Sequence, residues 1–151
     1  MRKTLVVVGV VGVVAGGVLA GCGGGGAGKG PAEAVRFTSP AAGATLSGPV
    51  TARVAVEGFT LSGASVGQAA RAGEGHLHFS LDGGRYDLAR YSGANGRLAA
   101  KLGVAGRYSP SVTPSITYSG LPAGPHTLKV SLANNDHTDT GAGATVSFVV
   151  R

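Results

Sequence analysis

The segment GHLHFSLDGG, residues 75–84, carries the pattern that decides the fold. Every second residue from Leu77 to Leu81 is apolar and the residues between them are polar. This period of two is typical of a β-strand with one face toward a core. The Asp82-Gly83 pair that follows is a hairpin signal. We therefore expect a half-buried strand, a tight turn, and a second strand over Arg85 to Tyr91.

The same alternation recurs on both sides of this segment, over Val35–Phe37, Val50–Val56, His126–Ala133 and Ala144–Val150. Ser115–Tyr118 also has strand character, and the Gly-, Ser- and Pro-rich stretch before it yields only a weak edge strand around Leu98–Leu102. Beyond the N-terminal region, no segment has the periodicity of an amphipathic helix. About seven short strands separated by turns predict an all-β chain folded as an antiparallel β-sandwich.

Two resemblances refine this expectation. The segment SITYSGLPAGPHTL, residues 115–128, resembles the corner between the fifth and sixth strands of immunoglobulin and fibronectin type III domains. The motifs of residues 75–83, 121–126 and 134–137 together resemble a group of uncharacterised exported bacterial domains with the pattern GHxHxxxDG…LxxGxH…NDH. These resemblances imply an immunoglobulin-like β-sandwich over residues 34–151 in an exported protein. They imply no particular activity.

The N-terminal region has a different composition, because 11 of the 28 glycines lie in the first 30 residues. Residues 1–21 have a basic start and an uncharged apolar run, which is typical of a secretory signal peptide. LAGC, residues 19–22, resembles the lipobox of bacterial lipoproteins, which implies cleavage before Cys22 and attachment of acyl chains such as palmitate. Residues 22–33 then form a lipidated, Gly-rich flexible linker. An uncleaved membrane span is the alternative, which the short, Gly-interrupted run disfavours.

These features predict an exported protein anchored by lipid in the bacterial cell envelope, with an envelope protein or a glycan as its partner. Without residues 1–21, 11 Lys and Arg face 7 Asp and Glu, and no run of basic residues marks a nucleic-acid groove. We therefore expect the membrane, and no nucleic acid, among its partners. The single cysteine excludes an internal disulfide, so stability must come from a packed core.

The histidines are the most pointed chemical feature. His76 and His78 are two residues apart on one predicted strand, so they point to the same face with their Cα atoms about 6–7 Å apart. In an immunoglobulin-like order the third and sixth strands are antiparallel neighbours, which brings Asp136 and His137 to the same rim. Imidazole and carboxylate ligands suit copper or zinc, so these four residues form a candidate metal site. In the alternative, the strand histidines are merely exposed and the Asp-His pair caps a turn.

His126 is expected to have a structural role. It shares the core-facing parity of Leu128 and Val130 and occupies the corner position of the immunoglobulin-like motif. We expect its ring to hydrogen-bond nearby backbone.

The sequence gives little support for catalysis. GASVG, residues 63–67, has the GxSxG spacing, but no predicted helix follows it, so it does not indicate the strand-to-helix elbow of a serine nucleophile. The His-Leu-His strand resembles an element of copper–zinc superoxide dismutases, but four histidines and one cysteine cannot supply that enzyme's ligands and disulfide. We therefore expect a non-enzymatic binding or structural domain with no certain cofactor, and copper or zinc binding through His76, His78 and His137 as the alternative function.

Overall fold

The structure is a computed structural model that describes residues 32–84, 97, 100–104 and 107–151. It contains eight strands: β1 (Ala34–Ser39), β2 (Thr45–Leu46), β3 (Val50–Glu57), β4 (Thr60–Leu61), β5 (Glu74–Leu81), β6 (Ser115–Tyr118), β7 (Gly124–Asn134) and β8 (Asp139–Val150). The predicted signal peptide, Cys22, most of the linker and the strand predicted at 85–91 lie outside the described residues. Within the described ranges, no helix is long and apolar enough to cross a bilayer.

The edge strand predicted around Leu98–Leu102 is wrong. Arg97, Ala100 and Lys101 are helical, and the chain turns at Leu102. Alanine, arginine, lysine and leucine are the best helix formers, so local propensity favours a helical turn here.

The strands form two sheets. The three-stranded sheet has the order β1-β3-β6 and is antiparallel, and the five-stranded sheet has the order β2-β8-β7-β5-β4. In the larger sheet β8, β7 and β5 are antiparallel, whereas the two-residue strands β2 and β4 pair in parallel at its edges. The predicted all-β character is therefore confirmed. The sequence did not predict β2 and β4, because two residues are too few to show an alternation.

Both sheets contribute alternate residues to one hydrophobic core, which is the arrangement of a β-sandwich. From the smaller sheet the core takes Val35, Val50, Ala52, Val54, Ile116 and Tyr118. From the larger sheet it takes Leu77, Phe79, Leu81, Leu128, Val130, Leu132, Val146, Phe148 and Val150. Burying one such Leu or Phe side chain contributes about 1.5–3 kcal/mol, so this core is the main source of stability.

The pairing of β5 with β7 positions the histidines. Leu77 lies opposite Leu132 in the core-facing rows, and His76 lies opposite Ala133 in the rows on the other face of the sheet. Because side chains alternate along a strand, His76 and His78 both project from the outer face. The end of β7 thus lies beside the start of β5, as the sequence predicted.

Candidate metal centre

Three imidazole nitrogens converge at the outer face of the larger sheet. Nε2 of His76 lies 2.9 Å from Nε2 of His78 and 3.0 Å from Nδ1 of His137. The third side of the triangle, between His78 Nε2 and His137 Nδ1, is 3.4 Å. Within the described residues, these three histidines form a group whose ligand atoms are close enough to hold one metal ion.

His76 forms the floor of this cluster and is 0% exposed. Its neighbour Gly75 allows this position, because a Cβ at residue 75 would overlap the carbonyl oxygen of Ala133 and lie 2.9 Å from the Phe59 ring. The strand is therefore buried on both faces at its start. An exposed pair of strand histidines, the simpler alternative from the sequence, does not describe this arrangement.

His137 reaches the cluster from the turn between β7 and β8. The turn is held by hydrogen bonds from Asn134 N to Thr138 O and from His137 N to Asn134 O. His137 has a φ of 67°, in the left-handed region that side chains other than glycine rarely adopt. Such backbone strain often marks a functional position. Here it accompanies a ring that lies over β5, with centroids 4.4 Å from His76 and 5.6 Å from His78.

Hydrogen bonds alone leave two like groups of the cluster facing each other. Each imidazole nitrogen presents either an N–H or a lone pair in the plane of its ring. With three nitrogens and two states, at least two must be alike, so two lone pairs or two N–H groups face each other across 3.4 Å or less. A cation that accepts all three lone pairs removes this conflict.

The electrostatics of the cluster favour neutral rings. Burial, together with the charges of the neighbouring His78 and His137, lowers the pKa of His76 from 6.5 to about 4. Burial also lowers the pKa of His78, as does His137, whereas Asp139 opposes the shift. A neutral imidazole has the lone pair that a metal requires, so near pH 7 no proton has to leave His76 before a metal binds.

The triangle has the dimensions of a metal-binding face. Its corners lie about 1.8 Å from their common centre, whereas zinc–nitrogen bonds are about 2.0–2.1 Å. An ion bound to all three nitrogens would therefore lie about 1 Å out of their plane. This is the position of the apex of a flattened pyramid, as in a tetrahedral or facial octahedral site.

Asp136 does not join the cluster. It lies outside the group of converging ligand atoms, and its Oδ1 accepts hydrogen bonds from Thr138 N at 3.0 Å and Thr138 Oγ1 at 2.6 Å. These hydrogen bonds lower the pKa of Asp136, so it is a stable carboxylate. Its role is to hold the turn that presents His137.

His126 lies at the other end of β7 and makes different contacts. Its Nε2 is 2.9 Å from Pro122 O, and its Nδ1 is 2.8 Å from Oδ2 of Asp82. Both partners are acceptors, so each contact needs a proton on the ring nitrogen that makes it. Oδ1 of Asp82 also accepts the Thr127 N–H at 2.9 Å. The sequence predicts only a turn role for Asp82. The GHxHxxxDG and LxxGxH motifs contain Asp82 and His126 and are the sequence signal for their contact.

Sequence reasoning also missed the polar support beside the cluster. Asn135 is fully buried at the end of β7, and its Nδ2 donates to Glu74 Oε1 at 3.0 Å. Hydrogen bonds from Ser65 and Asn135, together with the charge of Arg71, lower the pKa of Glu74. The resulting carboxylate ties the turn at the end of β7 to the first residue of β5. The sequence signal for Asn135 was its place in the NNDH motif, residues 134–137.

Comparison with known proteins adds no family to this picture. No protein-family model matches the chain, and no curated protein matches it.

Proposed function

We propose that this domain binds one transition-metal ion through Nε2 of His76, Nε2 of His78 and Nδ1 of His137. The observation that carries the proposal is the triangle of three imidazole nitrogens 2.9–3.4 Å apart. Every set of tautomers leaves two like groups facing each other, whereas one cation accepts all three lone pairs. The buried, neutral ring of His76 supports the same conclusion.

The donor set favours copper(II) or zinc(II). Imidazole suits both ions, and no thiolate or thioether belongs to the described cluster. Among divalent ions at a nitrogen site, copper(II) binds more tightly than zinc(II). We therefore propose a copper- or zinc-binding domain with higher affinity for copper(II).

Isothermal titration calorimetry of residues 32–151, with Zn(II) and then with Cu(II), tests the proposal. We expect one ion per chain and tighter binding of Cu(II). Loss of a side chain that only hydrogen-bonds a metal ligand weakens metal binding by about 10–100-fold. Removal of a ligand itself, in His76→Ala or His137→Ala, should therefore weaken binding by more than about 100-fold.

Asp136→Asn is the matched control, because asparagine keeps the oxygen that accepts the Thr138 hydrogen bonds. Its affinity should equal that of the unmodified domain. Circular dichroism of each variant shows whether the sheet is intact. A folded domain that takes up no ion, or equal affinity in folded His76→Ala, would refute the metal site.

We also propose that the metal-binding domain is the exported part of an envelope lipoprotein, anchored through Cys22. The LAGC sequence at residues 19–22 and the Gly-rich segment after it support this proposal. The strand orders β1-β3-β6 and β8-β7-β5 support an immunoglobulin-like topology, whose sheets have the orders A-B-E and G-F-C. The function is then metal binding or hand-over at the envelope, without catalysis of its own.

A further inference from the structure

We propose that the ion in this site keeps an open coordination position and takes a small monodentate anion from solution as a further ligand. This inference rests on the proposed metal site and concerns what the bound ion does next. It assigns the domain a second ligand class besides the metal.

The number of protein donors leaves the coordination shell incomplete. Three nitrogens converge within the described residues, whereas zinc(II) takes four ligands in a tetrahedral site and copper(II) commonly takes four or more. An ion held by one nitrogen from each of the three histidines would have its remaining coordination positions open to other donors. In zinc sites with three histidine ligands, the fourth position is open to water or to another ligand from solution.

The cluster borders solvent at His137. His76 is buried, His78 is half-buried and His137 is exposed, so exposure rises across the triangle. The residues of the turn after β7, from Asp136 to Asp139, are all exposed as well. A small ligand therefore has access to an ion held by His137 without movement of the core.

The carboxylates of Asp136 and Asp139 accept hydrogen bonds within the β7–β8 hairpin. Oδ1 of Asp136 accepts two hydrogen bonds from Thr138, and Oδ1 of Asp139 accepts the Gly141 N–H at 2.7 Å. Neither residue belongs to the converging group. Both side chains thus shape the turn, and the open position is left to an external ligand.

Charge selects the class of that ligand. All three protein ligands are neutral imidazoles, so the full divalent charge of the ion remains in a site with a buried floor. An anion neutralises part of this charge, which a neutral ligand does not do. A donor with a single coordinating atom fits one open position, so azide and hydroxide have the right chemistry.

Titration of the Cu(II)-loaded domain with sodium azide at constant ionic strength tests the inference. We expect a new azide-to-copper charge-transfer band that saturates at one azide per copper, with a shift of the visible copper absorption. Asp136→Asn and Asp139→Asn are the matched controls, because both keep the hydrogen-bond acceptor of the turn. Their azide affinity should stay within about fivefold of that of the unmodified domain, because the negative charge that each loses is exposed and screened by solvent.

Each alternative outcome is recognisable. A copper-loaded domain whose spectrum does not respond to azide overturns the inference and leaves the metal site standing. A tenfold gain in azide affinity in Asp139→Asn overturns it too, because it shows that a carboxylate occupied the position. A copper-dependent dimer in light scattering that azide does not alter means that a second copy fills the position. Absence of copper binding before azide is added refutes the metal site itself and this inference with it.

Discussion

At the scale of single residues, Gly75 determines whether the site exists. It carries no functional group, but its backbone lies against the carbonyl of Ala133 and beside the ring of Phe59. This close approach brings the start of β5 against the end of β7. The glycine of the GHLH motif is therefore a packing requirement for the two histidines that follow it.

We expect Gly75→Ala to destabilise the domain by about 3 kcal/mol, because the added methyl group overlaps backbone that cannot move aside. Urea unfolding followed by circular dichroism measures this change. Gly63→Ala is the matched control, since a Cβ there meets only Val112 at 3.6 Å, an ordinary contact. Its free energy of unfolding should change by less than about 0.5 kcal/mol. Equal effects of the two substitutions would contradict the packing role of Gly75.

Asp82 and His126 make a second important contact between single residues, at the opposite end of β5 and β7. The buried ring of His126 stacks on Phe148 with centroids 5.7 Å apart and bridges Asp82 to Pro122. Asp82 in turn holds Thr127 N–H and has a φ of 51°. This contact joins the turn after β5 to the start of β7. His126 therefore has a structural role at this end of the strands, whereas the three other histidines form the candidate metal site at the opposite end.

At the scale of elements, the hairpin of β7 and β8 supplies His137, the third member of the histidine cluster. Its register shifts between Ser131 and Ala133, which pair with Gly143 and Asp139. Such irregularities are common beside functional sites, because they redirect the chain at the end of a ladder. Here the shift lies next to the turn that carries His137. β5 supplies two of the proposed ligands and the turn supplies the third. A metal ion would therefore join the turn directly to β5, which otherwise contacts this hairpin by pairing with β7.

We therefore expect Zn(II) to slow hydrogen exchange at the amides of Asn134 and His137, both of which donate hydrogen bonds within the turn. Metal that binds only the closed turn stabilises it by about 2.7 kcal/mol at a free concentration of 100 times Kd, which corresponds to about 100-fold slower exchange. Exchange measured by nuclear magnetic resonance, with and without zinc, tests this expectation.

In His137→Ala the same amides should exchange at one rate with and without zinc. The amide of Leu128, in the middle of β7, serves as an internal reference within each sample. Slower exchange of the turn amides in His137→Ala on addition of zinc would contradict the role of His137 as the ligand that fastens the turn.

At the scale of the whole molecule, the sandwich supports the histidine cluster on the outer face of its larger sheet. The core side chains of β5 and β7 fix the register, and the register places the histidines. The proposed anchor lies at the other level of organisation, in the N-terminal region. In the proposed function, the anchor would hold the domain at the envelope and the larger sheet would hold the metal ion.

The anchor has its own test in a bacterial host that processes lipoproteins. We expect the full chain to remain with membranes until detergent is added, and its N-terminal peptide to carry the mass of acyl chains on Cys22. Cys22→Ser should lose this mass, because the serine hydroxyl cannot form the thioether. An unmodified Cys22 in a membrane-bound full chain would support the uncleaved span instead.

The sequence predicted the main strands from the alternation at residues 77–81, 126–133 and 144–150, because burial on one face leaves a direct pattern. It failed around Leu98–Leu102, where helix-forming side chains carried no such pattern. The two-residue strands β2 and β4 were also beyond it, because they depend on partners distant in the chain.

For the site, the sequence determined the ligand types and the shared face of His76 and His78, since spacing on a strand is local. Only the tertiary structure decided that His137 completes the triangle, that Asp136 is retained by Thr138, and that His76 is buried. These outcomes depend on the register of β5 against β7 and on the left-handed turn at His137. Both are set by packing between segments about 60 residues apart, which no local pattern records.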